Sequence, residues 1–519
     1  MLLRFVILTM SVLHTACAPM GPDFAQPENP AEQWLESSEQ GGEPIAEDLA
    51  RWWQVFNDPI LNDLVDTARA NNNSLEIAGL RVLESRAQLG IAVGSYYPQS
   101  QNINASAINT SPPDSSGLTS NHWEYGLNAS AGWEVDFWGR FRRGIESADA
   151  SFMVSIAAYE QALALLTAQV VDTYTVIRTT EEQLQISLEN IDIQQRSYDI
   201  TEVLYRHGQD SGLDMQQAHS LLLSTQSTIP TFEVSRKKAR NALAILLGQA
   251  PGTVTAILDR EKHSKSIPII PMNISVGFPA DILRRRPDVR QAELQAMAQN
   301  ALVGLAATDL YPRFSLIGSI GLTAGGPGDD ELNNLFDSDA ITYSVGPSFT
   351  WPFLSYGRIK NNVRVQDARL QQALVNYREI VLQAAREAED AMAEFKGSTR
   401  QATLLKKTVA SSRRSNELAT LRFREGFSDY QRVLDSQQAL FSQQQRYVTS
   451  QSDKVRSLIA LYKALGGGWE DHAGLPMIRG STEEIMRKRT DWGGLLETVL
   501  HKADSEEDNE KQRVPKPDW

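Results

Sequence analysis

Apolar residues recur every seven positions along two long stretches of the chain. A sustained seven-residue period is typical of helices that pack as left-handed coiled coils. The first stretch predicts a helix over 139–206, and at 1.5 Å per residue such a helix is a rod roughly 100 Å long. The seven-spaced positions of that helix are Ile156, Leu163, Val170, Ile177, Leu184, Ile191, Tyr198 and Tyr205.

The same pattern occurs a second time, 218 positions later. The matching pairs are Trp133 and Trp351, Gly139 and Gly357, Gly208 and Gly426, and Leu247 and Leu465. A constant offset over such a span predicts two structural repeats, over 51–250 and 275–468. In each repeat we expect a long helix, a turn at a glycine and a returning helix. The expected helices are 139–206 and 213–248, then 357–424 and 430–465. Pro230 is expected to kink the first returning helix, because proline removes a backbone donor.

Between the helices, apolar and polar residues alternate with period 2, as in strands with two different faces. The alternation predicts four strands, two within about 99–137 and two within about 313–354. One face is polar, rich in Ser, Thr, Asn and Gly. The other is apolar and aromatic, and its members include Trp123, Tyr125, Leu127, Trp133, Phe137, Phe314, Leu316, Tyr343, Phe349 and Trp351. Such strands fit an outer-membrane barrel with a watery lumen, whereas the alternative interpretation is the edge of a soluble β-sandwich.

Four strands are too few to close a barrel, for which about eight are needed. An open sheet in hydrocarbon leaves backbone groups unpaired, at a cost of several kcal/mol each. The sequence therefore predicts an oligomer in which each chain contributes four strands to a shared barrel. This arithmetic allows two, three or four copies.

The first residues resemble a targeting signal followed by an anchor. Residues 1–16 combine Arg4 with an apolar run from Phe5 to Leu8, which indicates a secretory signal peptide. Cys17 follows at once and is interpreted as a lipoprotein acceptor, although His14 departs from the usual signal before such a cysteine. The alternative is an ordinary signal peptide with an incidental cysteine. The residue after Cys17 is an alanine rather than an aspartate, which favours the outer membrane, and 17–50 is predicted to be an extended arm.

Composition and motifs argue against several classes of function. The chain has 519 residues, with 50 Lys and Arg against 64 Asp and Glu, and the net charge of −14 argues against nucleic-acid binding. One cysteine, and histidines without metal-ligand spacing, indicate no metal and no cofactor. The sequence has no phosphate loop and no nucleophile elbow, so we do not expect an enzyme. Beyond the first 20 residues no apolar run is long enough to predict a membrane-spanning helix. Residues 470–519 are predicted to be a charged periplasmic tail, with a short helix followed by disorder.

Four segments carry a resemblance to a known family. They are Met20 to Phe24, Trp52 to Leu61, Trp133 to Arg140, and Gly277 to Arg290 ahead of Tyr311 and Pro312. Over about 17–470 the chain resembles the outer-membrane factors of tripartite efflux pumps, the TolC-like family with its NodT and OprM-type lipoproteins. The resemblance implies a mainly α fold with a membrane β-barrel. Three copies would supply a twelve-stranded barrel, and their long coiled-coil helices would form a periplasmic α-barrel tunnel.

The resemblance also implies a function, that of a passive exit duct in the outer membrane. Drugs, toxic compounds or metal ions would reach it from an inner-membrane transporter, of the RND type, through a periplasmic adaptor. One alternative is the outer-membrane duct of a type I protein secretion system. Another is a lipid-tethered periplasmic coiled-coil scaffold, which would have no reason to carry four alternating strands.

Site residues are implied by family position. The periplasmic gate falls at Asp435, which would form a ring of three carboxylates, with Arg432, Gln431 and Gln438 beside it. Family members usually have an apolar residue and an arginine where this chain has Gln431 and Gln438, which puts those two parts of the gate in doubt. The tips expected to contact the adaptor are Gly208, Leu213, Asp214, Gly426 and Tyr430. The run Arg284 to Arg286 is interpreted as a structural cluster that pairs with acids at a helix start.

Overall fold

Within the part of the chain that the structure describes, there are nine helices of ten residues or more and four strands. The structure is a computed structural model that describes residues 19–27, 49–111, 121–209, 211–259, 266–270, 280–325, 332–470 and 476–496. The helices are α1 (Pro59–Asn71), α2 (Asn73–Gly94), α3 (Arg140–Arg206), α4 (Gly212–Gln226), α5 (Thr228–Leu246), α6 (Pro287–Thr308), α7 (Arg358–Arg424), α8 (Gln431–Ala464) and α9 (Gly480–Arg489). The strands are β1 (Ser100–Thr110), β2 (His122–Val135), β3 (Arg313–Ala324) and β4 (Ile341–Thr350). Shorter turns of helix occupy Trp52–Phe56, Thr255–Leu258, Ala280–Arg285, Leu332–Phe336 and Ser338–Ala340.

The strands form one antiparallel sheet in the order β1-β2-β3-β4. Residues in register across it share a character: Ile103 pairs with Ala129, which pairs with Ile320, which pairs with Tyr343. The neighbouring row is polar, and its members are Asn102, Ser130, Ser319 and Ser344. Because side chains alternate between the faces of a strand, these rows lie on opposite faces. The two-faced sheet predicted from the alternation is therefore present.

Below the sheet the helices form a wall one helix thick. α3 and α7 run its whole length, since each has 67 residues. In the half nearer the sheet, neighbours follow in the order α2, α3, α6 and α7. In the far half, α8 takes the place of α6 between α3 and α7, and α4 with α5 takes the place of α2. The predicted fold class, mainly α with a membrane sheet and two repeats of long helices, is confirmed.

The two long helices end at matching glycine turns. Gly208 and Gly426 have φ of +70° and +73°, a conformation that residues with a Cβ rarely adopt. After α3, the amide of Gln209 donates to the carbonyl of Leu204 at 2.9 Å, and after α7 the amide of Phe427 donates to that of Arg422 at 2.9 Å. This is the hydrogen bonding of a Schellman cap. The chain reverses here, as the sequence predicts.

A belt of short elements covers one face of the wall about midway along it. We define the belt as residues 52–71, 254–258 and 266–270. Trp52 is 1% exposed and stacks on Tyr462 of α8 with ring centroids 5.2 Å apart. Asp58 caps the start of α1 and accepts a 2.5 Å hydrogen bond from the hydroxyl of Tyr174 on α3. The belt therefore joins the two repeats, and it is where the largest apolar cluster lies.

One helix, α3, is long and apolar enough to cross a membrane by length and composition alone. In its most apolar window 56% of the residues are buried in the fold, as in a core helix. The sequence predicts no membrane-spanning helix, so α3 differs from that expectation in length and composition, while its burial is that of a core helix.

The first returning helix differs from the prediction of a single kinked helix over 213–248. The structure divides it into α4 and α5 at Ser227. Pro230 lies in the first turn of α5. In an unbroken helix the N–H at this position would donate to the carbonyl of Gln226, but proline has no N–H. The proline therefore starts a new helix, whereas α8 in the second repeat is continuous over 34 residues.

Candidate functional site

Within the described residues, the sheet presents an apolar face that is largely exposed. Ile103, Tyr343 and Val345 are 80%, 80% and 76% exposed. The opposite face carries hydroxyl groups, and the Oγ atoms of Ser319 and Ser344 lie 2.9 Å apart. β1 and β4 each pair on one side only, so both leave an edge of backbone donors and acceptors. An apolar outer face with open edges fits a sheet that is one part of a barrel in lipid.

Aromatic residues gather where the sheet meets the helices. Trp138 contacts Phe137 and Tyr311, each at 4.7 Å between ring centroids. Its indole donates to the carbonyl of Pro312 at 2.8 Å, and that of Trp351 donates to Leu310 at 3.1 Å. Aromatic rings with one satisfied polar atom are typical of the boundary between a membrane and water. We therefore expect the sheet to leave the lipid at this boundary.

Residues 20–23, which follow the predicted lipid anchor, are held by specific contacts at this boundary. We call this set of contacts the seat. Arg143 of α3 is 3% exposed and donates to the carbonyls of Met20 at 3.0 Å and Gly21 at 3.3 Å. It also forms a 2.8 Å ion pair with Asp23. A Cβ on Gly21 would lie 2.4 Å from the Cα of Gly304 in α6, so the backbones touch at that point.

Two further hydrogen bonds fix the same segment. Asn300 of α6 donates to the carbonyl of Pro22 at 2.9 Å, and the amide of Met20 donates to Trp138 at 3.0 Å. Cys17 lies outside the described residues, but Pro19 packs against Gly139 at the start of α3.

At the first tip, the predicted contact residues are arranged around the start of α4. Gly208 has open space around it, and Leu213 is 64% exposed. Ser211 caps α4 by accepting from the amide of Leu213 at 3.0 Å, and Asp214 lies in the first turn. Tyr205, 48% exposed, adds an apolar surface that the sequence reasoning missed.

At the second tip, Gly426 is open and the neighbouring Phe427 is 81% exposed. Tyr430 is only 3% exposed, and its ring contacts Phe423 at 5.2 Å. It therefore supports the tip from within rather than offering its ring at the surface. Phe427 is the exposed aromatic residue here, and its position directly after the turn glycine was a signal that sequence reasoning could have used.

The predicted gate residues lie on the first turns of α8. Asp435 is exposed and accepts a 2.9 Å hydrogen bond from the side chain of Gln431. Arg432 does not pair with Asp435 in the single chain; its Nε lies 3.8 Å from Asp429. Gln438 is exposed on the same helix. The structure thus brings Gln431 and Asp435 together and directs Arg432 to another carboxylate.

Behind the gate, α8 meets α3 through polar side chains that the sequence reasoning missed. Gln437 is 3% exposed and donates to Ser197 at 2.8 Å. Asn190 donates to Gln444 at 2.9 Å, and Gln445 donates to Ser187 at 3.2 Å. The many glutamines in the sequence of α8 could have indicated this polar contact between α8 and α3.

The arginine run before α6 is structural, as its interpretation expected. Arg286 is 5% exposed and pairs with Asp288 at 2.7 Å and Glu387 at 2.8 Å. Arg285 pairs with Glu470 at 2.7 Å. These pairs tie the end of α8, the start of α6 and α7 together, next to the belt.

Comparison with known proteins identifies the family. The model of the outer membrane efflux protein family matches residues 64–249 and 278–467, once for each repeat. The chain is 30% identical over 456 residues to the solvent efflux pump outer membrane protein SrpC of Pseudomonas putida, covering 86% of this chain and 95% of that one. It is 29% identical over 458 residues to the cation efflux system protein CusC of Escherichia coli O6:H1, covering 88% and 96%.

A solved structure shares the whole fold. The outer-membrane channel OprN superposes with a TM-score of 0.80 and 31% sequence identity, covering 86% of this chain and 99% of that chain. The double match to the family model, the open membrane sheet and the long helical wall all agree. The chain therefore belongs to the outer membrane efflux proteins, and it is an outer-membrane channel of that kind.

Proposed function

We propose that three copies of this chain form the exit duct of a tripartite efflux pump. The observation that supports this most directly is the open four-stranded sheet with an exposed apolar face. Three such sheets give twelve strands, which exceeds the minimum of about eight for a membrane barrel. Closing the ring pairs β1 of one copy with β4 of the next and leaves no unpaired edge in lipid.

The helical wall continues the duct into the periplasm. On α8, Tyr462 turns to the belt, while its neighbour Lys463 turns to the opposite face together with Arg456. On α3, Tyr174 turns to the belt and Asp172 to that same opposite face, where it pairs with Arg456 at 2.6 Å. At the level of the belt, one face of the wall is therefore covered by apolar packing, and the opposite face carries the charged groups of Asp172, Arg456 and Lys463. This charged face suits the lining of a water-filled tunnel.

Acylation of Cys17 would tether each copy beside its own strands. The seat around Arg143 supports this, because it holds the segment after the cysteine at the aromatic boundary. A single acyl chain gives only marginal membrane binding. Anchoring by lipid and by twelve strands together would keep the duct in the outer membrane.

The gate is proposed at Asp435, where three copies would place three carboxylates around the axis. Gln431 holds the carboxylate by a 2.9 Å hydrogen bond in each chain. Arg432, whose partner within the chain is the exposed Asp429, is proposed to pair with a neighbouring copy. A ring of carboxylates in a narrow opening attracts cations and is blocked by divalent ones.

The tips are proposed to receive a periplasmic adaptor, which links the duct to an inner-membrane transporter of the RND type. Leu213 and Phe427 support this, because both are large, apolar and mostly exposed at the ends of their hairpins. Exposed apolar residues at such a tip are typical of a protein contact. The relatives named above serve pumps for solvents and for cations, so the substrate is set elsewhere in the pump.

Cross-linking tests the shared barrel. Cysteines are placed on the polar faces of the two sheet edges, at Asn102 or Asn104 in β1 and at Thr342 or Ser344 in β4, with Cys17 left intact. Oxidation in native membranes should give dimers and trimers but no larger species. A control pair at Ser130 and Ser319, which are partners within one chain, should leave the chain monomeric. If every edge combination gives monomers only, the shared barrel is wrong.

A further inference from the structure

The chain continues past the end of the family match and folds back on the wall. The family model ends at residue 467, whereas residues 476–496 pack against α2. We call residues 476–496, which include α9, the C-terminal strap. The sequence predicts a charged, aperiodic tail with a short helix, and the structure adds that this helix, α9, belongs to a segment with several specific contacts.

A polar contact fixes the start of the strap. Arg479 and Thr482 both donate to the carboxylate of Glu76, the latter at 2.6 Å. Arg479 also donates to Asn73 at 2.9 Å. The hydrogen bond from Arg479 lowers the pKa of Glu76 to about 2, so the carboxylate remains charged throughout the neutral range. At the other end of the strap, Arg86 donates to the carbonyl of Leu495 at 2.8 Å.

An apolar cluster lies between these two contacts. Its buried members are Leu83, Ile478, Met486 and Leu496, with Leu80 and Trp492 packed against them. The backbones also touch, because a Cβ on Gly79 would lie 2.2 Å from the carbonyl oxygen of Met477. Any side chain at position 79 would push the strap away. The surface of α2 is therefore shaped to receive this segment.

α2 needs such support because it is an edge of the wall. It packs against α3 on one side, while Ile77 and Ile91 on its opposite side are 51% and 71% exposed. Ile77 lies 200° around the helix from Leu75, which is buried, at about 100° per residue. Without the strap, α2 would keep one neighbour and expose Leu80 and Leu83 as well.

We propose that the C-terminal strap is a brace that fixes α2, so that the wall edge formed by α2 can receive α7 of the next copy. The proposal rests on the trimer proposed above. It assigns to a segment outside the family match a role in the assembly of the duct.

Truncation tests the brace in the full-length protein. A chain that ends at Glu470 lacks the strap, and a control that ends at Leu496 keeps it. In mild detergent the control should dissociate at the same temperature as the intact chain. The shorter chain should dissociate at a temperature roughly 2–5 °C lower, because the shift produced by losing one set of contacts is small in a chain of this length. Equal dissociation temperatures for all three would overturn the brace.

A charge exchange tests the contact if the shorter chain does not assemble. Glu76→Arg and Arg479→Glu should each lower the dissociation temperature, and the double variant should recover at least half of the loss. A double variant no better than the single ones would overturn the brace. These results are separate from those on the duct: a monomeric intact chain would refute the trimer, whereas an intact trimer indifferent to the strap would refute only the brace.

Discussion

α3 and α7 have the same length and corresponding positions in the two repeats, yet they are buried to different extents. Of α3, 24 residues are buried, compared with nine of α7. Corresponding positions show the contrast directly: Ala164 is 6% exposed, and its counterpart Leu382 is 51% exposed. Ile186 is half-buried, and its counterpart Leu404 is 64% exposed.

The difference reflects the place of each helix in the wall. α3 has neighbours on both sides, α2 or α5 on one side and α6 or α8 on the other. α7 has α6 and α8 on one side only, so its exposed leucines form a free edge. An apolar edge on a helix that is otherwise well paired indicates a surface for another copy. We therefore expect the next chain to attach at this edge of α7.

The largest effect is expected from charges on that edge. Leu382→Asp combined with Leu404→Asp should abolish the trimer, because two carboxylates per copy would be buried without partners. Helix content by circular dichroism should stay unchanged. Phe427→Asp, at an even more exposed apolar site on the tip, should leave the trimer intact. A trimer that survives the two edge substitutions would contradict the assignment of α7 as an interface.

A cavity in the paired helix should weaken the chain itself. Leu163 of α3 is fully buried, so Leu163→Ala should lower the free energy of unfolding by about 2–5 kcal/mol. The control, Leu188→Ala, removes a side chain that is 47% exposed and should cost well under half as much. Denaturant unfolding at one fixed protein concentration gives the comparison. Equal losses at the two sites would contradict the burial of Leu163 in α3.

The two tips should contribute separately to adaptor binding. Leu213→Asp and Phe427→Asp should each weaken capture of the adaptor about tenfold, the equivalent of about 1.4 kcal/mol. Tyr430→Phe, at a buried ring, should have little effect. Binding can be measured with adaptor purified from the same host. Unchanged affinity in both tip variants would remove these tips from the contact surface.

The gate prediction distinguishes two exposed acids at the second tip. Asp435→Ala should weaken divalent-cation block of the reconstituted pore several-fold, because three carboxylates leave the axis. Asp429→Ala is the matched control and should change the block less, since Asp429 pairs with Arg432 at the surface. Single-channel currents across a magnesium titration provide the measurement. If the two variants behave alike, the gate is not at Asp435.

The smallest effect is expected from replacing a buried acidic residue of α3 that has no acidic counterpart in α7. Glu160 of α3 is 4% exposed, whereas its counterpart is the exposed Arg378. Burial raises the pKa of Glu160 from 4.5 to about 7, and Arg290, 3.6 Å away, opposes this only in part. Because the pKa of Glu160 is higher in the folded state than in the unfolded state, its protonated form contributes its full stabilisation below pH 4.5. This contribution is lost as the pH rises through 7.

Glu160→Gln should therefore flatten the decline in unfolding free energy between pH 4.5 and 7. The measurement is denaturant unfolding at several pH values in that window. A variant with the same slope as the intact chain would show that Glu160 does not titrate there.

Local periodicity was enough to predict the main elements. Seven-residue spacing indicated α3 and α7, and alternation indicated the four strands, because both patterns reflect which side of an element is apolar. The offset of 218 positions predicted that the repeats share one plan. Sequence reasoning also placed the glycine turns, since Gly208 and Gly426 have a φ that only glycine adopts readily.

Contacts between distant parts of the chain were not predictable in this way. Arg143 holds Asp23, which is 120 residues away in sequence, and Arg479 holds Glu76, 403 residues away. Neither pair leaves a periodic trace. The break at Ser227 and the burial of Tyr430 likewise depend on neighbouring helices rather than on local sequence. The gate and tip residues were placed by family position, and they stay predictions.

The native mass of the protein, extracted from outer membranes in mild detergent and corrected for bound detergent, tests the central claim most directly. The proposed twelve-stranded barrel, to which each chain contributes four strands, predicts a particle of three chains. A single chain would leave β1 and β4 unpaired in lipid and would contradict the shared duct.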